Sequence, residues 1–263
     1  MITIQKYVRP QSLEDAYQLN QKKRNYIIGG MLWLKMGSNT VNTAIDLCDL
    51  GLDTITENEE EISIGAMVSL RQIELHEGLN AYTCGAVAAA VRDIVGVQFR
   101  NLATVGGSVW GRFGFSDVLT IFLAMDSYVE LYKGGIVPLE EFAAMKPDND
   151  ILIRLIVKKI PGKFVYQTMR NQRTDFPVIA CAVSQVNGEY RAVIGARPSR
   201  AKIWRDEEGL LADDINEDSA KKFADYVAAN APTGSNSRAS AEYRTHIIGV
   251  LTQRSIMKLG GVQ

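Results

Sequence analysis

Residues 98–108 read Q-F-R-N-L-A-T-V-G-G-S and place two adjacent glycines directly after a stretch of helical character. Gly106 and Gly107 have no Cβ, so their backbone N–H groups can approach a bulky anion and the chain can adopt a positive φ there. Thr104 and Ser108 add a hydroxyl donor on each side. These features favour a phosphate-binding turn. The alternative is an ordinary Gly-Gly turn, which is a common loop signal.

A second glycine pair lies earlier in the chain, where a predicted strand over residues 25–28 stops at Gly29-Gly30. The segment that follows, M-L-W-L-K-M, is apolar enough to pack inward as a short helix. A strand, a glycine loop and a helix in this order can direct backbone donors and a helix N-terminus at an anion. This segment is therefore a second candidate for contact with an anionic ligand.

Composition limits the classes of protein to which the chain can belong. It has 263 residues, of which 46% are hydrophobic and 22% charged, and its formal net charge is -1. This length predicts two compact units, or one unit with subdomains. The charge balance provides no basic face, so we expect no nucleic-acid partner. No apolar run approaches the roughly 18 residues of a membrane span and no signal peptide is visible, so we expect a cytoplasmic protein without a membrane segment.

The cysteines and histidines form no metal-binding pattern. Cys48, Cys84 and Cys181 lie far apart without a C-x-x-C pair, which argues against a disulfide framework, a metal site and an iron–sulfur cluster. We expect them to be small buried residues. His76 and His246 have no partner at ligand spacing, so we expect both to be structural or surface residues. No acid–base triad is visible, and the sequence predicts no catalytic residue.

The pattern of strands and helices predicts three units. Short strands alternate with helices in the first two, and Ser12 caps the first helix. In the second unit, residues 81–95 carry small apolar residues at helical spacing, and either Ser116 or Asp117 caps a later apolar helix. The clearest boundary is Pro161-Gly162. The predicted units are residues 1–52, 53–160 and 161–263.

The third unit has a different pattern. Its first part alternates between strand segments and turns, and Asn187-Gly188 is a strong hairpin signal, so we expect an antiparallel meander. Two helices follow, one over residues 217–229 and one that starts near Ser237. The last helix is predicted to place on one face Tyr243, Ile247, Val250, Leu251 and Leu259.

Several stretches together resemble one known family. The R-N-L-A-T lead into the Gly106-Gly107 pair is the specific one. The others are Y-I-I-G-G-M-L-W-L at 26–34, I-S-I-G-A-M-V-S-L-R-Q-I-E at 62–74, G-F-S-D-V-L at 114–119 and R-A-S-A-E-Y-R-T-H-I-I-G-V-L at 238–251. With these motifs the chain resembles the FAD-binding medium subunits of molybdenum hydroxylases, which include xanthine dehydrogenase and carbon monoxide dehydrogenase.

The resemblance implies an α+β protein with a two-subdomain FAD-binding fold of the vanillyl-alcohol-oxidase or PCMH-like type, followed by a C-terminal antiparallel sheet with helices. It implies that the two glycine loops share the diphosphate of one FAD, through backbone N–H groups and hydroxyls. Asp117 would hold hydroxyl or amine groups of the cofactor, unless it only caps a helix. Leu152 and Gln167 fall near positions that meet the isoalloxazine ring. The implied FAD-binding residues are Ile27, Ile28, Gly29, Gly30, Met31, Leu32, Trp33, Leu34, Thr104, Val105, Gly106, Gly107, Ser108, Asp117, Leu152 and Gln167.

The sequence departs from the family pattern at two places. Many relatives have G-G-T-D-L in the first loop, whereas Met31 and Leu32 stand here in place of the polar pair. Backbone donors must then provide more of the contact with the cofactor. An A-x-P segment that is common before the aspartate is replaced by G-R-F-G-F, so Arg112 is a candidate phosphate or partner contact. The alternative for Arg112 is a solvated surface charge.

The function implied by the resemblance is electron transfer within a larger enzyme. Electrons would arrive from [2Fe-2S] clusters on a small partner subunit, pass through FAD and leave to NAD⁺ or another acceptor. The molybdopterin would be bound by a large partner subunit, which would also bind the substrate. Two alternatives remain open at this stage. One is a scaffold subunit that has lost FAD, and the other is a self-contained FAD oxidoreductase.

Overall fold

The computed structural model describes residues 1–262, so Gln263 of the third predicted unit lies outside the described residues. The fold is α+β, as predicted, with one mainly parallel and two antiparallel sheets in the described part of the chain. The strands of the three sheets span residues 3–46, 55–158 and 162–205. Each sheet thus lies inside one predicted unit, while the exact unit boundaries stay predictions.

The first sheet is small and parallel, in the order β1-β3-β2, and is built from β1 (Thr3–Val8), α1 (Leu13–Asn20), β2 (Asn25–Ile28) and β3 (Thr40–Asp46). The hydroxyl of Ser12 accepts a hydrogen bond from the Asp15 N–H at 3.0 Å, which confirms the predicted cap of α1. The predicted short helix after Gly30 forms only a 3-10 turn over Leu34–Met36. The end of β2 therefore leads into an open loop.

The second unit contains a five-stranded antiparallel sheet and most of the short helices. The sheet order is β4-β5-β8-β6-β7, and β6 and β7 form an antiparallel hairpin. The elements are β4 (Ile55–Glu57), β5 (Glu61–Gly65), α2 (Leu70–Leu75), α3 (Glu77–Tyr82), α4 (Ala86–Val91), α5 (Val97–Leu102), α6 (Val105–Trp110), α7 (Asp117–Leu123), β6 (Ser127–Leu131), β7 (Gly135–Pro138), α8 (Leu139–Ala144) and β8 (Leu152–Lys158).

Two expectations are wrong, one for a helix of this unit and one for the cysteines of the chain. Residues 81–95 do not form one helix, because Cys84 (φ 50°) and Gly85 (φ 77°) adopt left-handed backbone conformations that end α3 before α4 begins. The turn exposes Cys84, and Cys48 is also exposed, so of the three cysteines only Cys181 is buried as expected. The histidines behave as predicted: His76 caps α3 through Nδ1, and His246 is exposed.

The third unit is an antiparallel sheet in the order β12-β11-β10-β9 with two helices. Asn187 (φ 51°) and Gly188 (φ 83°) form the predicted tight turn between β10 and β11. The short edge strand β12 was not predicted. The elements are β9 (Gly162–Arg170), β10 (Pro177–Val186), β11 (Glu189–Gly195), β12 (Lys202–Arg205), α9 (Glu217–Asn230) and α10 (Ala241–Leu259).

The last helix differs from its prediction in start and orientation. It begins after Ser240, whose hydroxyl caps it, and Tyr243 is 39% exposed. The guanidinium of Arg244 lies inside instead, where it donates to three backbone carbonyls and to Asn236. Because these acceptors satisfy a buried cation, the helix is rotated from the face that apolar spacing alone predicts. Its buried residues are Arg244, Ile248, Leu251, Thr252, Ser255, Ile256 and Leu259.

The meander sheet is covered on both faces, and this arrangement orients the residues of β9. Phe164 and Tyr166 belong to the core shared with the helices of the second unit. Val165, on the opposite face, packs with α9 and α10. Since side chains alternate along a strand, Tyr166 faces α7 and Gln167 faces α10. None of the helices described for residues 1–262 combines the length and apolarity that crossing a bilayer requires.

Candidate cofactor site

A cavity of about 750 Å³ lies where the three units meet. This volume falls within the range of about 300–1,000 Å³ that is typical of sites for small molecules and cofactors. Its wall combines the loop after β2, the ends of α5 and α6, the start of α7 and the β9–β10 connection. Most of the lining side chains are apolar. Of the predicted residues, the wall includes Ile27, Gly29, Gly30, Met31, Leu32, Trp33, Leu34, Thr104, Gly107, Ser108 and Asp117.

The two glycine loops pack directly against each other beside this cavity. A Cβ on Gly30 would lie 1.9 Å from the carbonyl oxygen of Leu102, and a Cβ on Gly29 would lie 2.6 Å from Oγ1 of Thr104. The Leu102 oxygen belongs to the backbone, so this contact requires glycine at position 30, whereas a Cβ at position 29 would require the Thr104 side chain to move. The structure therefore brings the Gly29-Gly30 and Gly106-Gly107 segments to one cavity.

The first loop offers a row of unused backbone donors. In the described chain, the six consecutive N–H groups from Gly29 to Leu34 donate to no protein acceptor. Met31 adopts a φ of 57°, and a left-handed residue within such a row curves the N–H groups into a concave anion-binding nest. The side chains of Met31 and Leu34 line the cavity and also pack against the small core that contains Ile28. The two apolar residues that replace the polar pair, Met31 and Leu32, each pack against a core cluster and thus anchor the loop, while its backbone N–H groups stay free to bind.

The second loop behaves differently from its prediction, because Gly106 and Gly107 lie in the first turn of α6. The N–H groups of Val105 and Gly106 donate to the Val68 and Ala66 carbonyls, each at 2.8 Å. The Gly107 N–H donates to Oγ1 of its cap Thr104 at 3.1 Å. The expectation that this loop presents free N–H groups is therefore wrong. What reaches the cavity is the surface of Thr104, Gly107 and Ser108, on which the Ser108 hydroxyl already donates to the Thr104 carbonyl at 2.9 Å.

Gly106 has a packing role. A Cβ at this position would lie 2.5 Å from the carbonyl oxygen of Ala66, so glycine is needed for α6 to approach the end of β5. Gly106 and Val105 are both buried and lie outside the cavity wall, as does Ile28. The second glycine pair thus combines one residue that packs and one that faces the cavity.

Asp117 lies on the cavity wall as the first residue of α7. The cap of this helix is Ser116, whose hydroxyl accepts from the Leu119 N–H at 3.1 Å. Asp117 Oδ1 accepts instead from the Tyr166 hydroxyl at 2.5 Å and from Nη2 of Arg170 at 2.6 Å. Burial raises the pKa of Asp117, and the two donors oppose that shift. Asp117 is therefore part of a buried ion pair that no spacing in the sequence indicated.

Leu152 and Gln167 are not brought to the cavity. Leu152 begins β8 opposite Leu131 and belongs to the core of the second unit. Gln167 points to the other face of the meander sheet, where its Oε1 accepts from the hydroxyl of Ser255 at 3.3 Å. Neither side chain lines the wall, so their predicted contact with the isoalloxazine ring has no support from the geometry.

Arg112 fits neither expectation made for it. Its Nε donates to the Phe142 carbonyl at 3.0 Å, and its guanidinium lies 3.9 Å from the centroid of the Phe142 ring. The residue is buried, has a φ of 45° and is not on the cavity wall. It is a structural cation beneath α8, and burial lowers its pKa.

An aromatic cluster at the cavity joins three distant segments. Trp33 of the first loop lies 5.4 Å from Phe115 and 5.5 Å from Phe176, measured between ring centroids, and Phe113 stacks on Phe115. The G-R-F-G-F stretch contained a signal for two of these rings, but Phe176 could not be placed from the sequence. A mostly apolar cavity with a row of free N–H donors indicates a site for a dinucleotide-type cofactor.

Comparison with known proteins identifies the family. The model for the FAD binding domain in molybdopterin dehydrogenase matches residues 2–161, and that for the CO dehydrogenase flavoprotein C-terminal domain matches residues 164–259. The chain is 24% identical over 281 residues to the xanthine dehydrogenase FAD-binding subunit of Escherichia coli O157:H7, covering 97% of this chain and 96% of that protein. It is 23% identical over 282 residues to the carbon monoxide dehydrogenase medium chain of Afipia carboxidovorans, covering 95% and 94%.

A solved structure agrees with these relatives in fold. Quinoline 2-oxidoreductase from Pseudomonas putida 86 matches with a TM-score of 0.87 and 18% identity, covering 97% of this chain and 96% of that one. The chain therefore belongs to the FAD-binding family of the molybdopterin dehydrogenases, and its cofactor is FAD. The free N–H groups of residues 29–34 fit a diphosphate, and the apolar wall fits the flat rings on either side of it.

Proposed function

We propose that this chain is the electron-transfer subunit of a molybdenum hydroxylase. In this proposal it receives electrons from [2Fe-2S] clusters on a small partner subunit and passes them through FAD to NAD⁺ or another acceptor. A large partner subunit carries the molybdopterin and binds the substrate. The observation that carries the proposal is the row of free N–H donors in the Gly29–Leu34 loop, facing a cavity of cofactor size beside the second glycine loop.

The residues of this chain bind and shield the cofactor. The N–H groups of the first loop hold the diphosphate without a lysine, as backbone nests do for other phosphates. Thr104 provides a hydroxyl on the opposite side, and Trp33 with its aromatic neighbours adds flat apolar surface to the cavity wall. Bound FAD supplies a ring that accepts electrons singly and releases them in pairs. The protein's part is to orient that ring and to limit its contact with solvent.

The proposal assigns the metal clusters to partner chains. A [2Fe-2S] cluster needs four ligands, usually cysteines, and this sequence has three cysteines without a shared motif. Within residues 1–262 no group of histidine, cysteine, aspartate and glutamate side chains is arranged to hold a metal ion. The names of the relatives, a medium chain and an FAD-binding subunit, support the same division of labour.

Two measurements test the proposal against its alternatives. The purified chain is expected to be yellow with a flavin absorption spectrum, whereas a colourless chain that takes up no added FAD would support a scaffold that has lost the cofactor. The chain alone is expected to oxidise no substrate, and to pass electrons from dithionite to NAD⁺ or to another acceptor in a screen. Substrate turnover without partner chains would support a self-contained oxidoreductase and contradict the proposal.

A further inference from the structure

Arg170 is the one lysine or arginine on the described cavity wall, and the family motifs did not point to it. Its side chain is 7% exposed and is held from three directions. Nη2 donates to Asp117 at 2.6 Å, Nη1 donates to the carbonyl of Asp175, and Nε donates to the Thr168 hydroxyl at 3.3 Å. The guanidinium is therefore a preorganised positive charge at the edge of the cavity.

Two groups of residues on the cavity wall differ in polarity. One group is apolar and consists of Leu70, Ile94, Val95 and Phe99. The other is the Asp117–Arg170 ion pair, whose side chains are 5% and 7% exposed. Charges in such a desolvated setting interact more strongly with a ligand than they would in water. A ring that gains negative charge on reduction would therefore be stabilised most where it meets this cation.

We infer that Arg170 is a positioning residue that sets the reduction potential of the bound flavin, with Asp117 limiting its effect. The inference rests on the proposed function. The oxidised isoalloxazine ring is neutral, and the uptake of two electrons and one proton leaves a negative charge on it. A fixed cation on the cavity wall would stabilise that reduced anion more than the oxidised ring, and a charge near the flavin is one means by which proteins tune its potential.

Asp117 provides the negative charge that faces Arg170. Its carboxylate draws the guanidinium toward the cavity wall and offsets part of the positive charge. The Tyr166 hydroxyl holds the same carboxylate oxygen at 2.5 Å, so the carboxylate cannot move away from Arg170 freely. Removal of the positive charge and removal of the negative charge therefore have opposite effects on the flavin. A purely structural role would not produce opposite effects.

The test is a redox titration of the full chain with bound FAD, with dithionite as reductant and indicator dyes as reference. Arg170→Gln is expected to disfavour flavin reduction at least tenfold, which for a two-electron couple corresponds to about 30 mV. Asp117→Asn is expected to favour reduction. Arg170→Lys keeps the charge and is expected to stay within about threefold of the wild type. Arg112→Gln removes a buried guanidinium away from the cavity and is the matched control, with no expected shift.

The bound FAD of each variant is quantified from its absorbance before the titration. Unchanged potentials in Arg170→Gln and Asp117→Asn, or shifts of both in the same direction, would overturn the inference while leaving the proposed function intact. If Arg170→Gln does not retain FAD, Asp117→Asn still decides the question by the direction of its shift. A wild-type chain that binds no FAD overturns the proposed function, and this inference with it.

Discussion

The two glycine loops share a Gly-Gly pair and have different physical roles. In the first loop, the N–H groups from Gly29 to Leu34 have no protein acceptor. In the second, every N–H from Val105 to Ser108 already donates within the protein. The first loop is thus the one prepared to bind an anion, and the second is the rigid surface against which it is placed. A Gly-Gly pair alone distinguishes neither role.

This difference follows from what each loop is attached to. The first loop leaves a parallel strand and enters only a 3-10 turn, so its donors are not used by regular structure. The second loop starts α6, and its residues also bond back to the segment after β5. Donors in a helix's first turn are free only when neither a cap nor a neighbouring segment uses them. Here Thr104 and the Ala66 and Val68 carbonyls use them.

Gly30→Ala is the variant with the largest expected effect, because its Cβ would lie 1.9 Å from the Leu102 carbonyl oxygen. One of the two backbones must move, and overpacking of this kind costs about 1–3 kcal/mol or more. We expect a lower thermal unfolding midpoint by circular dichroism and loss of FAD. Gly107→Ala is the control, since its Cβ would meet only the Thr104 hydroxyl, at 3.1 Å. An unchanged midpoint in Gly30→Ala would show that the loops do not touch as described.

Gly107→Val separates cofactor binding from folding. Gly107 is exposed on the cavity wall, so a branched side chain would occupy space that the cofactor needs. We expect FAD to be lost while the variant keeps an unfolding midpoint close to that of the wild-type apoprotein. Measurement of bound flavin after gel filtration checks the first part. Full FAD occupancy in Gly107→Val would remove the second loop from the site.

Glu74→Gln tests the ion pair that holds α5, the helix directly before the second loop, in place. Arg100, at the end of α5, donates to Glu74 at 2.8 Å. Burial disfavours the charge on Glu74, but hydrogen bonds from Arg100 and Arg71 lower its pKa overall. A carboxylate whose pKa is lowered by folding stabilises the fold above its ordinary value of 4.5, and this contribution is lost as the pH falls through the folded-state pKa.

We therefore expect Glu74→Gln to lower the free energy of unfolding by about 1–3 kcal/mol at pH 7. We also expect a flatter pH dependence of stability below pH 4.5, the ordinary pKa of this side chain. Urea denaturation at a series of pH values measures both. Parallel pH profiles for the variant and the wild type would show that Glu74 is not the titrating group.

Thr104→Val has the smallest expected effect. It removes the hydroxyl that caps α6 through the Gly107 N–H and keeps the branched shape of the side chain. Loss of such a cap costs about 0.5–2 kcal/mol of stability. Thr104→Ser retains the hydroxyl and is the matched control in urea denaturation. If the two variants unfolded at the same urea concentration, the cap would contribute nothing to the second loop.

The parts of the fold that were predictable depend on local chemistry. Ser12 caps a helix because a hydroxyl near the first turn satisfies an N–H within a few residues. Asn187-Gly188 forms a tight turn because both positions tolerate a positive φ. In each case the physical cause lies within about four residues of the signal, so the sequence pattern was sufficient.

The parts that could not be predicted depend on contacts between distant segments. Arg170 lies 53 positions after Asp117 in the chain, and no spacing rule relates the two residues. Trp33 and Phe176 meet only after all three units have packed. The buried position of Arg244 was not predicted, because a helix face chosen by apolar spacing omits a guanidinium that backbone carbonyls surround.

The candidate site was predicted in its position but not in its detail. Both glycine loops and Asp117 reach the cavity, as the motifs implied. The sequence could not predict which N–H groups are already hydrogen-bonded within the protein, because this depends on which carbonyls the fold brings beside them. Gln167 was misplaced for the same kind of reason, since the side of a strand on which a residue lies is decided by the register of the whole sheet.

Hydrogen exchange with and without FAD tests the central claim most directly. The amides of Gly29–Leu34 have no protein acceptor, so they should exchange quickly in the apoprotein and become strongly protected when FAD is added. The amides of Val105 and Gly106 should be protected in both states because they already donate to carbonyls. Rapid exchange of residues 29–34 in the FAD-bound protein would contradict the account.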